Sequence, residues 1–142
     1  MSFAIDFEAL ARNASDAIIV VDSAGTIVFW NAAATRLFGY DAAEAIDKSL
    51  DLIIPPRFRE RHWEGFTKTM QTGLTRYGAE LLRVPATHKE ERKLSIAFTV
   101  TLIPGANGKP RAIAAFFRDE TARWEHERAQ AKRIAELEEK KK

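Results

Sequence analysis

The 142-residue chain predicts a single α+β domain: a five-stranded antiparallel sheet with helices on one face and a flanking helix at each end. Three observations carry that expectation. Hydrophobic residues make up 46% and charged residues 30%, with only 7 Gly and 5 Pro, so a chain of this length can bury one core. β-Branched and alternating apolar runs bracket a middle stretch whose apolar residues recur at helical spacing. Turn chemistry at Ser23-Ala24-Gly25 and at Gly105-Ala106-Asn107-Gly108 joins neighbouring runs as hairpins.

Phe3, Phe7, Leu10 and Ala14 recur at steps of four, three and four, which predicts a short amphipathic helix over residues 3–14 whose stripe needs a partner. Ala17 to Asp22 and Thr26 to Trp30 read as the first hairpin. Asn31 caps a helix over Ala32 to Phe38 that Gly39 ends. Residues 41–53 suit one or two helical turns crossing the sheet. Pro55-Pro56 fits the first turn of a long helix from Arg57 to Gln71, stopped at Gly73. Strands over Tyr77 to Pro85, Arg92 to Ile103 and Arg111 to Arg118 complete the sheet, and Leu94, Ile96, Phe98 and Val100 give the middle one a buried face. From Thr121 to Lys142 the composition turns to Glu, Lys, Arg and Ala, a solvated helix with a thin seam of Trp124, Ala131, Ile134 and Leu137 suited to pairing with another copy.

Composition also excludes. Lys plus Arg total 22 and Asp plus Glu 20, interspersed, for a net charge of +2, so no nucleic-acid surface is expected. No cysteine means no disulfide, thiolate zinc site or thiol-linked cofactor. The apolar runs fall far short of the ~20 residues of a membrane helix, and Asp6 and Glu8 stand where a signal peptide would be basic and then apolar; a cytoplasmic chain with no membrane partner is expected. No Ser-His-Asp set, paired carboxylates, phosphate loop or His-x-x-x-His spacing points to turnover.

The residue that needs explaining is His62. Phe58, His62, Phe66 and Met70 follow one another at steps of four, which puts an imidazole in an apolar helical stripe. Two readings stand: a core histidine donating to a backbone carbonyl, or an axial ligand to iron in an apolar slot. His88, in the turn Thr87 to Glu91, and His126, in the charged tail, are expected to be exposed. Trp63 packs on a cofactor edge or fills space under the helix, while Trp30 and Trp124 cover the open face of the sheet or seat the terminal helices.

The segment AIIVVDSAGTIVFWNAAATRLFGY resembles the opening of PAS sensor domains, and FFRDET at Phe116 to Thr121 is similar to the Arg-Asp-x-Thr signal that ends them before an output helix. The likeness covers residues 15–121, leaving 1–14 as an N-terminal helix and 122–142 as an output or dimerisation helix. PAS domains host haem, flavins, metabolites or nothing, so the fold alone names no ligand. Within the family, the run from Ile54 through Pro55 and Pro56 to His62 resembles the start of the long helix in haem-binding PAS oxygen sensors of the FixL and direct-oxygen-sensor types. That resemblance implies haem b (iron protoporphyrin IX) ligated by His62, with Phe58 and Phe66 beside it and Lys68 and Arg76 near its propionates. It also implies a distal wall of Leu82, Ile96, Phe98 and Val100. Where those sensors carry an oxygen-contacting Arg, the ungapped position here is Leu82, with Arg83 one residue on; Glu80 is nearest to the position of a sixth-ligand Met. An apolar Leu82 favours CO or NO over O2, or ready oxidation.

The implied function is a haem sensor of a diatomic gas or redox state that relays to the C-terminal helix of a homodimer. The alternative is a haem-free PAS module for dimerisation or small-molecule binding. A flavin sensor ranks below both, because the thiol for adduct chemistry is missing.

Overall fold

The computed structural model describes residues 3–75 and 80–141. Its sheet runs in the order β2-β1-β5-β4-β3, every neighbouring pair antiparallel. The strands are β1 (Ala17–Asp22), β2 (Ile27–Trp30), β3 (Leu82–Thr87), β4 (Lys93–Pro104) and β5 (Pro110–Asp119). The β-branched run of β1 lies between two partners, so the first and last strands zip together and close the two hairpins into one sheet.

Register sorts the side chains. Ile19 lies opposite Trp30 on one side and Ala115 on the other; Phe117 lies opposite Ala17 and Phe98, and Leu82 opposite Phe98. These residues share the inner face, because directly opposed residues project the same way. Against that face pack α2 (Ala32–Phe38), α3 (Ala42–Ala45), a 3-10 turn at Leu50–Leu52 and the long α4 (Pro56–Thr72). Phe38 is fully buried, its ring edge-on to Phe117 at 5.5 Å and tilted against Trp30 at 5.8 Å. Trp30 therefore belongs to the core and does not cover the open face; its indole N–H is satisfied by Thr35 Oγ1 and the Tyr40 carbonyl.

The flanking helices differ from expectation. α1 spans Phe7–Arg12, shorter than residues 3–14, because Asp6 caps it by accepting from the Ala9 N–H. Its apolar stripe is left uncovered by the described residues: Phe3, Phe7 and Leu10 are 88%, 70% and 63% exposed. α5 covers Thr121–Glu139, with Trp124, Ile134 and Leu137 exposed. β3 starts at Leu82 and runs to Thr87; Arg76 and Tyr77 lie outside the described residues. No helix among the described residues is long and apolar enough to cross a membrane.

His88 is the clearest correction: it is buried, not exposed. Gly39, at φ +87°, ends α2 and leaves room for the His88 ring to lie against its Cα, where any Cβ would collide with the imidazole. The Lys89 N–H donates to the Phe38 carbonyl, and His88 Nδ1 accepts from the Glu90 N–H. The turn is thereby folded back onto the end of α2, which encloses the His88 ring.

Asn31 is the buried polar centre. Its side-chain oxygen accepts from the Ile18 and Ala34 N–H groups at 2.9 and 3.0 Å, and its amide donates to the Ala11 and Asp16 carbonyls at 2.9 and 3.0 Å. One residue thus caps α2, fixes the start of β1 and holds the end of α1. Asn31→Ala leaves those partners without it, so urea unfolding is expected to show a loss of about 2–4 kcal/mol, well beyond an ordinary cap. A loss under about 1 kcal/mol would show that water replaces the amide freely.

Candidate functional site

α4 begins where Pro56 occupies its first turn, a position whose backbone N–H would have no helical partner. Arg59 fastens that turn to the preceding segment, donating to the carbonyls of Ile54 and Asp51 at 3.0 and 3.2 Å. One turn on, the Trp63 indole N–H donates to the Asp51 carboxylate at 2.6 Å, and its ring lies flush on Gly25 of the β1–β2 turn. Trp63 thus fills the space under the helix.

His62 sits within this aromatic group. Its ring meets Trp63 edge-on at 4.5 Å and stacks with Phe66 at 6.2 Å, while Trp63 and Phe66 also meet edge-on at 5.1 Å. Trp63 and Phe66 in turn pack against the main core. His62 Nδ1 is buried with no hydrogen-bond partner among the described residues. Among the described residues the backbone-carbonyl bond that a core histidine would make is absent. Burial holds the imidazole below its ordinary pKa of 6.5, opposed more weakly by the Asp51 carboxylate. The site therefore presents a neutral imidazole, steered by aromatic packing alone, with lone-pair capacity unused.

The residues expected at a distal wall share the inner face of the sheet. Leu82 and Phe98 are opposed across β3 and β4, Ile96 is buried, and Val100 is half-buried on the same face. Phe98 stacks obliquely on Phe117 at 5.4 Å. Arg83 stands opposite Ala97 and so projects to the other face; the alternation of β3 keeps its charge away from the wall.

Other expected contacts do not join His62. Phe58 is half-buried, with the Arg57 guanidinium 4.7 Å from its ring centre, and borders a groove shared with β3 and α5. Lys68 is exposed, six residues and thus about 120° around the helix from His62, without an ion-pair partner among the described residues. Arg76 lies outside the described residues. His126 is exposed, as expected. Two cavities stand out: the groove beside Phe58, about 560 Å³, and one of about 320 Å³ bordered by Asp16, Arg36 and Arg118. Neither adjoins His62. Among the described residues no three His, Asp or Glu side chains gather as a metal site, so any metal here rests on the single imidazole.

What sequence reasoning missed is this Phe58 groove, whose walls come from segments as far apart as Arg57 and Arg128, so no local pattern announces it.

The PAS-fold family profile matches residues 5–120. An uncharacterized protein of Azorhizobium caulinodans is 32% identical over 112 residues, 78% of this chain. Sensor protein FixL of Bradyrhizobium diazoefficiens is 43% identical over 47 residues, 33% of this chain, and oxygen sensor protein DosP of Escherichia coli 28% identical over 105 residues, 74% of this chain. The matched stretches span only 15%, 9% and 13% of those three proteins. The crystal structure of the PAS domain of a protein from Colwellia psychrerythraea superposes with a TM-score of 0.71 at 22% identity, covering 82% of this chain and 95% of that one. At that identity the likeness speaks for the fold and not for a ligand.

A buried imidazole nitrogen without a hydrogen bond carries its desolvation cost uncompensated. His62→Leu is expected to leave stability at neutral pH unchanged or higher in urea unfolding, whereas a loss above about 2 kcal/mol would mark a satisfied structural group. The pH dependence follows from the lowered pKa. Above 6.5 the ring is neutral folded or unfolded; below it the unfolded chain takes the proton first, so wild-type stability falls with pH until the folded pKa is passed. His62→Leu should flatten that part of the decline.

Proposed function

The chain belongs to the PAS-fold family, a sensory and signalling fold, and on that premise we propose that it senses a diatomic gas or redox state through haem b held by His62. The observation that carries this reading is the buried, partnerless His62 nitrogen among aromatic rings, the donor chemistry an axial ligand needs. Partial identity to proteins named sensor protein FixL and oxygen sensor protein DosP supports it. When bound, the group would supply an iron centre for a neutral diatomic and for one-electron redox change.

The chain's own residues supply the rest. His62 offers the ligand nitrogen. Leu82, Ile96, Phe98 and Val100 exclude water and offer no hydrogen-bond donor, which favours CO or NO over O2. Because neither large cavity adjoins His62, the reading requires Phe66 and its neighbours to give way. Their displacement reaches Phe98 and Phe117 through the core, and Ser95, three residues before Phe98 on β4, holds Thr121 at the start of α5. Relay to α5 therefore needs only a small change in β4. With Phe58 and Lys68 directed elsewhere, the propionates are left to solvent or to residues beyond these.

A second reading, a haem-free dimerisation module, is favoured by the bare stripe of α1 and the exposed seam of α5. Both readings use a homodimer, so Phe7→Glu combined with Leu10→Glu is expected to shift the elution volume in size-exclusion chromatography from dimer to monomer.

Absorption spectroscopy separates the two. Wild-type protein mixed with haemin is expected to give a sharp Soret band that His62→Leu and His62→Ala lose or broaden. No band in the wild type, or one unchanged in both variants, leaves the dimerisation module.

A further inference from the structure

We propose that the groove at the β3 edge binds a small aromatic carboxylate, and that an occupant there fastens α5 to the domain. The groove encloses about 560 Å³, within the range of roughly 300–1,000 Å³ typical of small-ligand sites. It is independent of His62, which does not border it.

Its walls combine apolar surface with an excess of positive charge. Phe58, Val84, Leu94 and Trp124 supply flat hydrocarbon. Arg57, Arg83, Lys93 and Arg128 border the same space, and none is ion-paired to a carboxylate among the described residues. Three of them lie over an aromatic ring instead: Arg57 Cζ is 4.7 Å from the ring centre of Phe58, and Lys93 Nζ and Arg128 Cζ are 5.7 and 5.1 Å from that of Trp124. Of the bordering acids, Glu127 is engaged by Arg123 at 3.2 Å, leaving Glu120 and Glu125 against four cations. A ligand with a flat apolar body and one carboxylate matches that surface; a neutral one leaves the cations unanswered.

The placement gives an occupant something to do. α5 is attached lightly: Thr121 Oγ1 accepts from the Ser95 N–H at 3.0 Å, Glu120 N–H donates to the Ser95 carbonyl at 2.8 Å, and beyond Thr121 the helix is exposed. Groove walls from α4, β3 and β4 face walls from α5, so a bound ligand touches both sides of the joint. It would hold the first turns of α5 down on the domain, independently of events at His62.

The test is a ¹H–¹⁵N titration of the full chain with 2-naphthoate, using neutral 2-naphthalenemethanol as the control. Trp30, Trp63 and Trp124 give separate indole N–H signals, and that of Trp124 alone is expected to move. Arg83→Gln combined with Lys93→Gln, both exposed, should weaken binding about tenfold, and the alcohol should bind at least about tenfold more weakly than the acid. Amide exchange of residues 122–126 should slow on binding. The proposal is overturned if alcohol and acid bind alike, if the Trp63 signal moves instead, if the double variant binds unchanged, or if exchange in α5 does not respond.

Discussion

Everything in this fold is hung on the Asn31 side-chain amide. Its four hydrogen bonds reach α1, the segment before β1, β1 itself and α2; the two it accepts are buried and the two it donates are part-buried. A buried amide with every partner in place is directional in a way apolar contacts are not, so it sets where β1 starts and how α2 leaves β2. The aromatic stack of Trp30, Phe38 and Phe117 then fills the space that this geometry defines.

His62 is the opposite case. The chain satisfies the Asn31 amide with four hydrogen bonds and leaves the buried Nδ1 of His62 without a partner among the described residues. In a domain whose buried polar groups are otherwise paired among the described residues, a nitrogen left without a partner is unspent chemistry. Trp63 and Phe66 flank the ring and burial lowers its pKa, while its position on α4 couples it to the β1–β2 turn through Trp63 and Gly25.

The sheet was readable from the sequence because its signals are local. β-Branched runs, Gly-containing turns, the Asn31 cap and Pro56 each act within a few residues, and the strands and helices they predict are present with ends shifted by small steps. The inner-face wall was readable too, since alternation along β4 alone assigns Ile96, Phe98 and Val100 to one side. The errors are all matters of tertiary context. Helical period puts Phe58 in line with His62, yet Phe58 borders the groove shared with β3 and α5 while Trp63 and Phe66, a turn or two on, pack against the core. His88 looks like a turn residue in sequence and is enclosed because a glycine 49 positions earlier leaves a space of its shape. The stripe of α1 is real, but no local signal says whether its partner lies within the chain.

The pairing of β1 with β5 has a mechanical corollary. Ala17 and Phe117 are neighbours, so α1 and α5 depart from the same end of the sheet. Tension between those two helices would load the central ladder one rung at a time, as in opening a zipper, and not across all its rungs together. Such a joint is soft to pulling, with β4 and β5 remaining intact while β1 peels away, so a tug on either helix is felt first at Phe117, inside the core.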